Sequence, residues 1–368
     1  MSKDQQFNYI TYGAKTNAGQ ISQFLSHLKV QLESTKRATP LCLWGMHGIG
    51  KTQLVKEFAH ENGCDFRYIA PAQFEEMGDL LGMPNVNLEE NKTSYIAPDW
   101  VPTEEGPGIL LIDDVNRADD RILRGIMQLL QNNELVSWKL PDKWMIVMTA
   151  NPDGGDYSVT SMDDAILTRM LHVTMEYDVK EWAKWAEKAH IDSRGISFVL
   201  TYPEIVNSQR TTPRSLVQFF NTIASITNLS SELDLVKLLA EGCLDKESAV
   251  AFVTFVNMDL NKIIPAKEIL HTSDFKLIRG KLNALINKTP KRLDILSVIL
   301  TRVTNYVIFM EEKLSDEMFN NLKEFILLDI MPNDLRLSMA HDLVNSKRPD
   351  LKRLYAIPAI GKLILSKM

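Results

Sequence analysis

Cysteine is scarce in this chain, three residues in 368, and the three lie far apart at Cys42, Cys64 and Cys243. That spacing matches no zinc site and argues against a disulfide framework, so free thiols in a reducing cytoplasm are expected. Long apolar runs are missing too. None approaches the roughly 18 residues that a membrane span needs, and Met1 to Tyr12 lacks the apolar core of a secretory signal. A soluble cytosolic protein without a membrane partner is the expectation. Positive charge is not in excess either: the net charge is -6, and the stretch from Pro290 onward is balanced. A polyanion is therefore not the expected main partner. The sequence has no fixed-period repeat and no low-complexity tract. What it does have is 45% hydrophobic and 24% charged residues, the balance of a globular protein. Its length allows two or three domains, each with a core.

The most specific local feature is the run Gly45-Met46-His47-Gly48-Ile49-Gly50-Lys51-Thr52. It fits the phosphate-cradling pattern GxxxxGK[ST] at every fixed position. The apolar run Leu41-Cys42-Leu43-Trp44 precedes it, and Gln53 to Ala59 read as helix. In that strand–loop–helix setting the glycines let backbone N–H groups wrap phosphate oxygens, and the helix N-terminus adds partial positive charge. Lys51 would reach the β- and γ-phosphates, and the Thr52 hydroxyl would ligate Mg2+. Gly45 to Gln53 form the expected nucleotide-binding segment. His47 occupies a variable position of the pattern and is assigned no chemistry.

Five short apolar runs alternate with helical stretches: Leu41–Trp44, Phe66–Ala70, Ile109–Asp113, Trp144–Thr149 and Leu171–Met175. Continuous apolar character without alternation suits a parallel sheet covered on both faces. Between them, Leu123, Ile126, Met127 and Leu130 share one face of a helix. An α/β layered domain over about residues 20–178 follows. Phe74 to Pro107 is long for a plain connection and suggests an insertion. After Asp178 only helical periodicity continues, in Val179–His190, Pro213–Ile226 and Ser248–Met258. Leu293, Leu296, Leu300, Val303 and Val307 form one stripe read as bundle core.

Two further strand ends carry polar groups. Ile109-Leu110-Leu111-Ile112 runs into Asp113-Asp114. A carboxylate at the end of a buried strand beside a phosphate loop can hold magnesium, and the next can orient or deprotonate an attacking water. Met145 to Ala150 ends at Asn151-Pro152, whose amide would hold the water or the γ-phosphate. Arg117, Arg121 and Arg124 follow the carboxylates. They fit either a neighbouring nucleotide or a solvated basic face, and stay outside the expected site.

Taken in order, the phosphate loop, Ile112-Asp113-Asp114-Val115-Asn116-Arg117-Ala118, Thr149-Ala150-Asn151-Pro152 and Met162-Asp163-Asp164-Ala165-Ile166-Leu167-Thr168-Arg169-Met170 resemble AAA+ ATPases of the MoxR group. The resemblance also takes in Tyr95 to Pro102, Gly106-Pro107-Gly108, Glu181-Trp182 and Thr212-Pro213-Arg214-Ser215-Leu216. It spans roughly residues 38–270; the last hundred residues match only as an undefined helical extension. It implies a P-loop α/β core over 1–178 that includes an N-terminal helical segment, a helical lid over 179–258 and a helical extension over 259–368. It implies ATP hydrolysis with Mg2+, with Lys51 and Thr52 as Walker A residues, Asp113 on the metal and Asp114 as catalytic carboxylate. Asn151 would be sensor 1, Arg169 would reach the γ-phosphate of a neighbouring subunit, and Arg214 would be sensor 2 on the lid. It further implies a ring, a hexamer, that remodels a protein client, with the segment Asp153 to Tyr157 as a mobile loop coupling nucleotide state to neighbours. Ala251 to Leu270 is similar to members that work with proteins bearing a von Willebrand factor A domain. One position departs from the pattern: the family usually carries glutamate where this chain has Asp114. The shorter side chain points to slow hydrolysis with binding untouched.

Three functions stay open on sequence: a ring-forming chaperone or remodeller, a slow nucleotide-gated scaffold or switch, and a nucleic-acid motor or loader. The acidic balance counts against the last.

Overall fold

The computed structural model describes residues 12–89, 91–152, 160, 162–207, 210–258, 263–287, 291–310, 312–346 and 348–365. The chain divides into two compact units, 1–178 and 179–368. Among its described residues the first carries ten strands: β1 (Ala14–Thr16), β2 (Leu41–Trp44), β3 (Asp65–Ile69), β4 (Met83–Asn87), β5 (Lys92–Ile96), β6 (Gly108–Ile112), β7 (Glu134–Leu135), β8 (Trp138–Lys139), β9 (Trp144–Ala150) and β10 (Leu171–Met175). Its helices are α1 (Ala18–Thr35), α2 (Lys51–Glu61), α3 (Met77–Leu81), α4 (Asp120–Asn132) and α5 (Asp164–Leu167).

Six strands form one parallel sheet in the order β1-β10-β2-β9-β6-β3. Every residue of β2, β6 and β9 is buried, because helices cover both faces. Cys42 and Trp44 pack with Leu110, Ile112, Met148 and the α4 residues Ile122, Ile126 and Leu129. Leu41 and Leu43 turn the other way, toward Leu25, Leu28, Val55 and Phe58 of α1 and α2. This is the expected α/β fold, and burial on both faces explains why these strands read as unbroken apolar runs.

β1 was not among the expected strands. It is a three-residue, polar edge strand, Ala-Lys-Thr, paired to β10. The long connection after Phe74 holds α3 and an antiparallel hairpin, in which Met83 of β4 faces Ile96 of β5 and Asn87 faces Lys92. Nearly every residue of that hairpin is exposed, so no buried face exists to impose alternation. A second, smaller hairpin joins β7 and β8. The three cysteines are free, and Cys42 is buried in β2, where desolvation pushes its thiol well above the ordinary range.

The second unit is helical throughout its described residues: α6 (Val179–Lys188), α7 (Ser193–Thr201), α8 (Pro213–Ile223), α9 (Leu233–Cys243), α10 (Lys246–Asn257), α11 (Ala266–Leu270), α12 (Phe275–Ile286), α13 (Leu293–Phe309), α14 (Asp316–Ile326), α15 (Asn333–Val344) and α16 (Pro358–Leu365). Leu296, Leu300, Val303 and Val307 are buried as the stripe predicts, but Leu293 is 41% exposed. As the first residue of α13 it precedes the buried turns. Ile295, Val298 and Ile299 are buried as well, so α13 is enclosed around most of its circumference. Among the described residues no helix is long and apolar enough to cross a membrane.

The C-terminal end of α13 is tied down by Arg348. Its guanidinium donates to the carbonyls of Val307 (3.1 Å), Met310 (2.7 Å) and Glu312 (2.8 Å), and grips Asp350 at 2.7 Å and 3.2 Å. The Val307 and Met310 carbonyls belong to a helix end that has no intrahelical donors left. Replacing Arg348 with methionine should cost about 2 kcal/mol, since it strips a partly buried carboxylate and three carbonyls of their donor; urea unfolding would measure it. Arg348 also holds the Asp350 carboxyl below its ordinary value. That contribution is therefore present above the ordinary carboxylate range and lost as pH falls through the lowered value.

Candidate nucleotide site

The site grows from the C-terminal edge of the parallel sheet. β2 ends at Trp44 and the chain turns through Gly48 at φ 71° and Gly50 at φ 106°, left-handed angles that side-chain-bearing residues avoid. Gly50 caps α2, which begins at Lys51. Lys51 is only 6% exposed. Its Nζ donates to the carbonyls of Gly45 (2.6 Å) and Met46 (3.1 Å) and to Asn151 Oδ1 (3.2 Å). The ammonium is thus fixed between the backbone of the loop it would serve and the end of β9.

Asp113 continues from β6, its N–H donating to the Ile69 carbonyl of β3 at 2.8 Å. Its Oδ1 accepts the hydroxyls of Thr52 (2.7 Å) and Thr149 (2.6 Å), and its Oδ2 accepts Tyr68 Oη at 3.2 Å. Burial, followed by the Asp113 charge, pushes the Tyr68 phenol up, which keeps it a donor. Asp114 adopts a left-handed φ of 49°, which aspartate tolerates better than most residues. Its N–H donates to Thr149 Oγ1 at 2.8 Å, and its Oδ1 accepts from Asn151 Nδ2 at 3.0 Å. Arg117 Nε lies 3.6 Å from the other oxygen. Thr149 thereby spans both aspartates from the next strand.

The structure brings Gly45, Gly48, Gly50, Lys51, Thr52, Asp113, Asp114 and Asn151 to one place. Met46 and His47 are exposed on the loop, and Ile49 packs into the core behind it. Gln53 turns to Glu57 on α2 at 2.7 Å. Arg169, two residues past the end of α5, donates to Gln131 Oε1 at 3.3 Å and to the Ala165 carbonyl, not to the aspartates. Arg214 belongs to the second unit, exposed on the first turn of α8. Arg121 and Arg124 pair with Asp119 and Asp120 on the exposed face of α4, the solvated alternative. Residues 153–157 lie outside the described residues. Tyr68, Thr149 and Asn116 are contributors that the sequence reading missed, because strand order rather than spacing brings them in.

One carboxylate and one hydroxyl, Asp113 and Thr52, form an all-oxygen pair of the kind a hard, well-hydrated cation accepts when phosphate oxygens and water supply the remaining ligands. No group of three or more His, Cys, Asp or Glu residues that could hold a metal occurs among the described residues. The donor set fits magnesium carried in with a phosphate and does not amount to a free-standing metal cage.

Residues 40–170, which carry the loop, both aspartates, Asn151 and Arg169, match the AAA domain family, dynein-related subfamily. This segment is similar to AAA-type P-loop domains. Among similar curated proteins, an ATP-dependent protease ATP-binding subunit-like protein of Rhodococcus erythropolis is 34% identical over 113 residues, 28% of this chain and 32% of that one. Midasin of Giardia intestinalis is 25% identical over 146 residues, 37% of this chain and 3% of its own length. The chain thus spans about a third of the first relative and a small fraction of the second. Of solved structures, the Thermotoga maritima RuvB Holliday junction branch migration motor is 17% identical with a TM-score of 0.38, covering 83% of this chain and 94% of that one. A putative ATPase from Cytophaga hutchinsonii is 14% identical with a TM-score of 0.32, covering 83% and 85%. Both likenesses are weak in sequence and in superposition.

Proposed function

We propose that this protein binds ATP with Mg2+ and hydrolyses it, acting as a ring-forming AAA+ remodeller of MoxR type on a protein client. The observation that carries the reading is the junction of Lys51, Thr52, Asp113, Asp114 and Asn151 at one sheet edge, joined by hydrogen bonds of 2.7–3.2 Å. In this reading the loop and Lys51 bind the phosphates, Thr52 and Asp113 hold the magnesium, and Asp114 orients the attacking water. The metal supplies charge neutralisation on the phosphate oxygens. Residues 179–258 would act as a lid carrying Arg214, and 259–368 as an extension. A hexameric ring would let Arg169 serve a neighbour's nucleotide, and the partnership would extend to a von Willebrand factor A domain protein.

A slow switch is the second reading, favoured by one feature: Asp114 is already engaged by Asn151 and Arg117. A nucleic-acid motor has no comparable support at a net charge of -6.

Calorimetry with Mg-ATP tests the common premise. Wild type should bind, and Lys51→Ala should lose about 3 kcal/mol of affinity, because the phosphate charges lose a buried cation. That corresponds to roughly a hundredfold in Kd. Equal affinity in the two proteins would sink the reading.

A further inference from the structure

The ladder of β9 stops at Ala150, which pairs with Trp44 of β2 and accepts the Gly45 N–H at 3.2 Å. Asn151 comes next and is 1% exposed. Its backbone N–H and C=O therefore lie beyond the strand pairing and away from water, where an unpaired polar group is costly. The side chain of Asn116 serves both. Its Nδ2 donates to the Asn151 carbonyl at 2.8 Å and its Oδ1 accepts the Asn151 N–H at 3.1 Å.

Asn116 is itself fully buried, in the turn Val115–Arg117 that follows Asp114. Its own carbonyl accepts the Thr160 N–H at 2.7 Å, which anchors the turn from the other side. A two-point amide grip fixes the peptide groups on either side of Asn151. With them it fixes the direction in which that side chain leaves the backbone. The amide so aimed accepts from Lys51 Nζ at 3.2 Å and donates to Asp114 Oδ1 at 3.0 Å.

We propose that Asn116 is a positioning residue of this site. It holds the backbone of Asn151 so that one amide bridges the phosphate-directed lysine and the carboxylate of Asp114. Its catalytic consequence rests on the ATP-hydrolysis reading; its geometric consequence does not. Alanine at 116 leaves the N–H and C=O of Asn151 unpaired, and the Asn151 side chain loses its fixed departure angle. No atom of the Asn116 side chain belongs to the phosphate loop, so affinity and turnover should part company.

Asn116→Ala should lower kcat by roughly a hundredfold, the scale expected when a catalytic constellation is displaced by about an ångström, while the Kd for ATP stays at the wild-type value. In an Asn151→Ala background the same substitution should cost nothing further, because it acts through a side chain no longer present. An unchanged kcat, measured well below the melting temperature, or losses that simply multiply, would overturn the proposal. The second readout needs no hydrolysis. In nucleotide-free protein labelled with 15N-asparagine, the Asn151 side-chain amide signal is identified by its loss in Asn151→Ala. It should move in Asn116→Ala, and also in the milder Asn116→Ser should the alanine variant not fold. A stationary signal refutes the positioning role even if wild type proves inert to ATP. Inert wild type with a shifted signal refutes only the hydrolysis reading.

Discussion

Asp114→Asn is expected to leave ATP binding in place and to lower turnover by about a hundredfold to ten-thousandfold, the range for losing a positioned proton acceptor. The substitution is nearly isosteric, so the left-handed turn at φ 49° and the N–H bond to Thr149 at 2.8 Å should survive. Affinity should survive with them, because the amide keeps the shape of the carboxylate and leaves Lys51 and the loop residues unsubstituted, while Asp114 itself bonds Thr149, Asn151 and Arg117. What disappears is the negative charge that would draw a water's proton. The side chain here is one methylene shorter than the glutamate usual in the resembling family, and its oxygens are already shared between Asn151 and Arg117. Wild-type hydrolysis should therefore be slow, and the trapped ATP state of Asp114→Asn long-lived. Single-turnover assays with radiolabelled ATP, alongside equilibrium binding, separate the two quantities. Turnover that persists unchanged assigns the proton acceptor to another residue. A parallel loss of affinity would mean that the turn itself had moved.

The contrast between legible and illegible elements has a physical cause. β2, β6 and β9 were readable within a residue or two, because strands in the middle of a doubly covered sheet must be apolar along their length. β1 is three polar-to-small residues at an edge, and its place depends on β10, some 160 residues later in the chain. The β4–β5 hairpin is exposed on both faces, so it offers no pattern of either period. Leu293 misled for the opposite reason: periodicity marks a helix face but not where the neighbouring helices end.

The site divides in the same way. The phosphate loop is a local device, since left-handed angles at Gly48 and Gly50 require particular residues at particular spacing. Asp113, Asp114 and Asn151 are strand-end residues, so recognising the strands located them. Tyr68 and Thr149 reach Asp113 from the two strands flanking β6, and Asn116 reaches Asn151 across the sheet edge. Neighbourhood of that kind follows from strand order, which no short window of sequence encodes. Asn116 and Thr149 did lie within motifs quoted for the resemblance, so their presence was visible while their role was not.

Arg169 offers the largest test, because its proposed task requires a second copy of the chain. Within its own subunit the guanidinium is spent on Gln131 Oε1 and the Ala165 carbonyl, both outside the cluster around Asp114. A cation placed against the γ-phosphoryl oxygens as charge develops is worth about a thousandfold or more in turnover. In the ring reading, Arg169→Ala should therefore lower the ATPase rate by that order in assembled protein. The ATP affinity of the dilute subunit should be retained, since Lys51 and the loop are untouched. Mixing supplies the decisive comparison. At ATP concentrations well below their raised Kd, Lys51→Ala subunits stay empty yet keep Arg169, and Arg169→Ala subunits bind nucleotide yet lack the cation. Each is inert alone, and together they should form interfaces in which an intact arginine faces an occupied site. Activity restored in the mixture, rising with total protein concentration, is the expected result. A mixture as inactive as its parts, under conditions where the subunits demonstrably associate, would return Arg169 to the structural role that its bonds to Gln131 and Ala165 already describe.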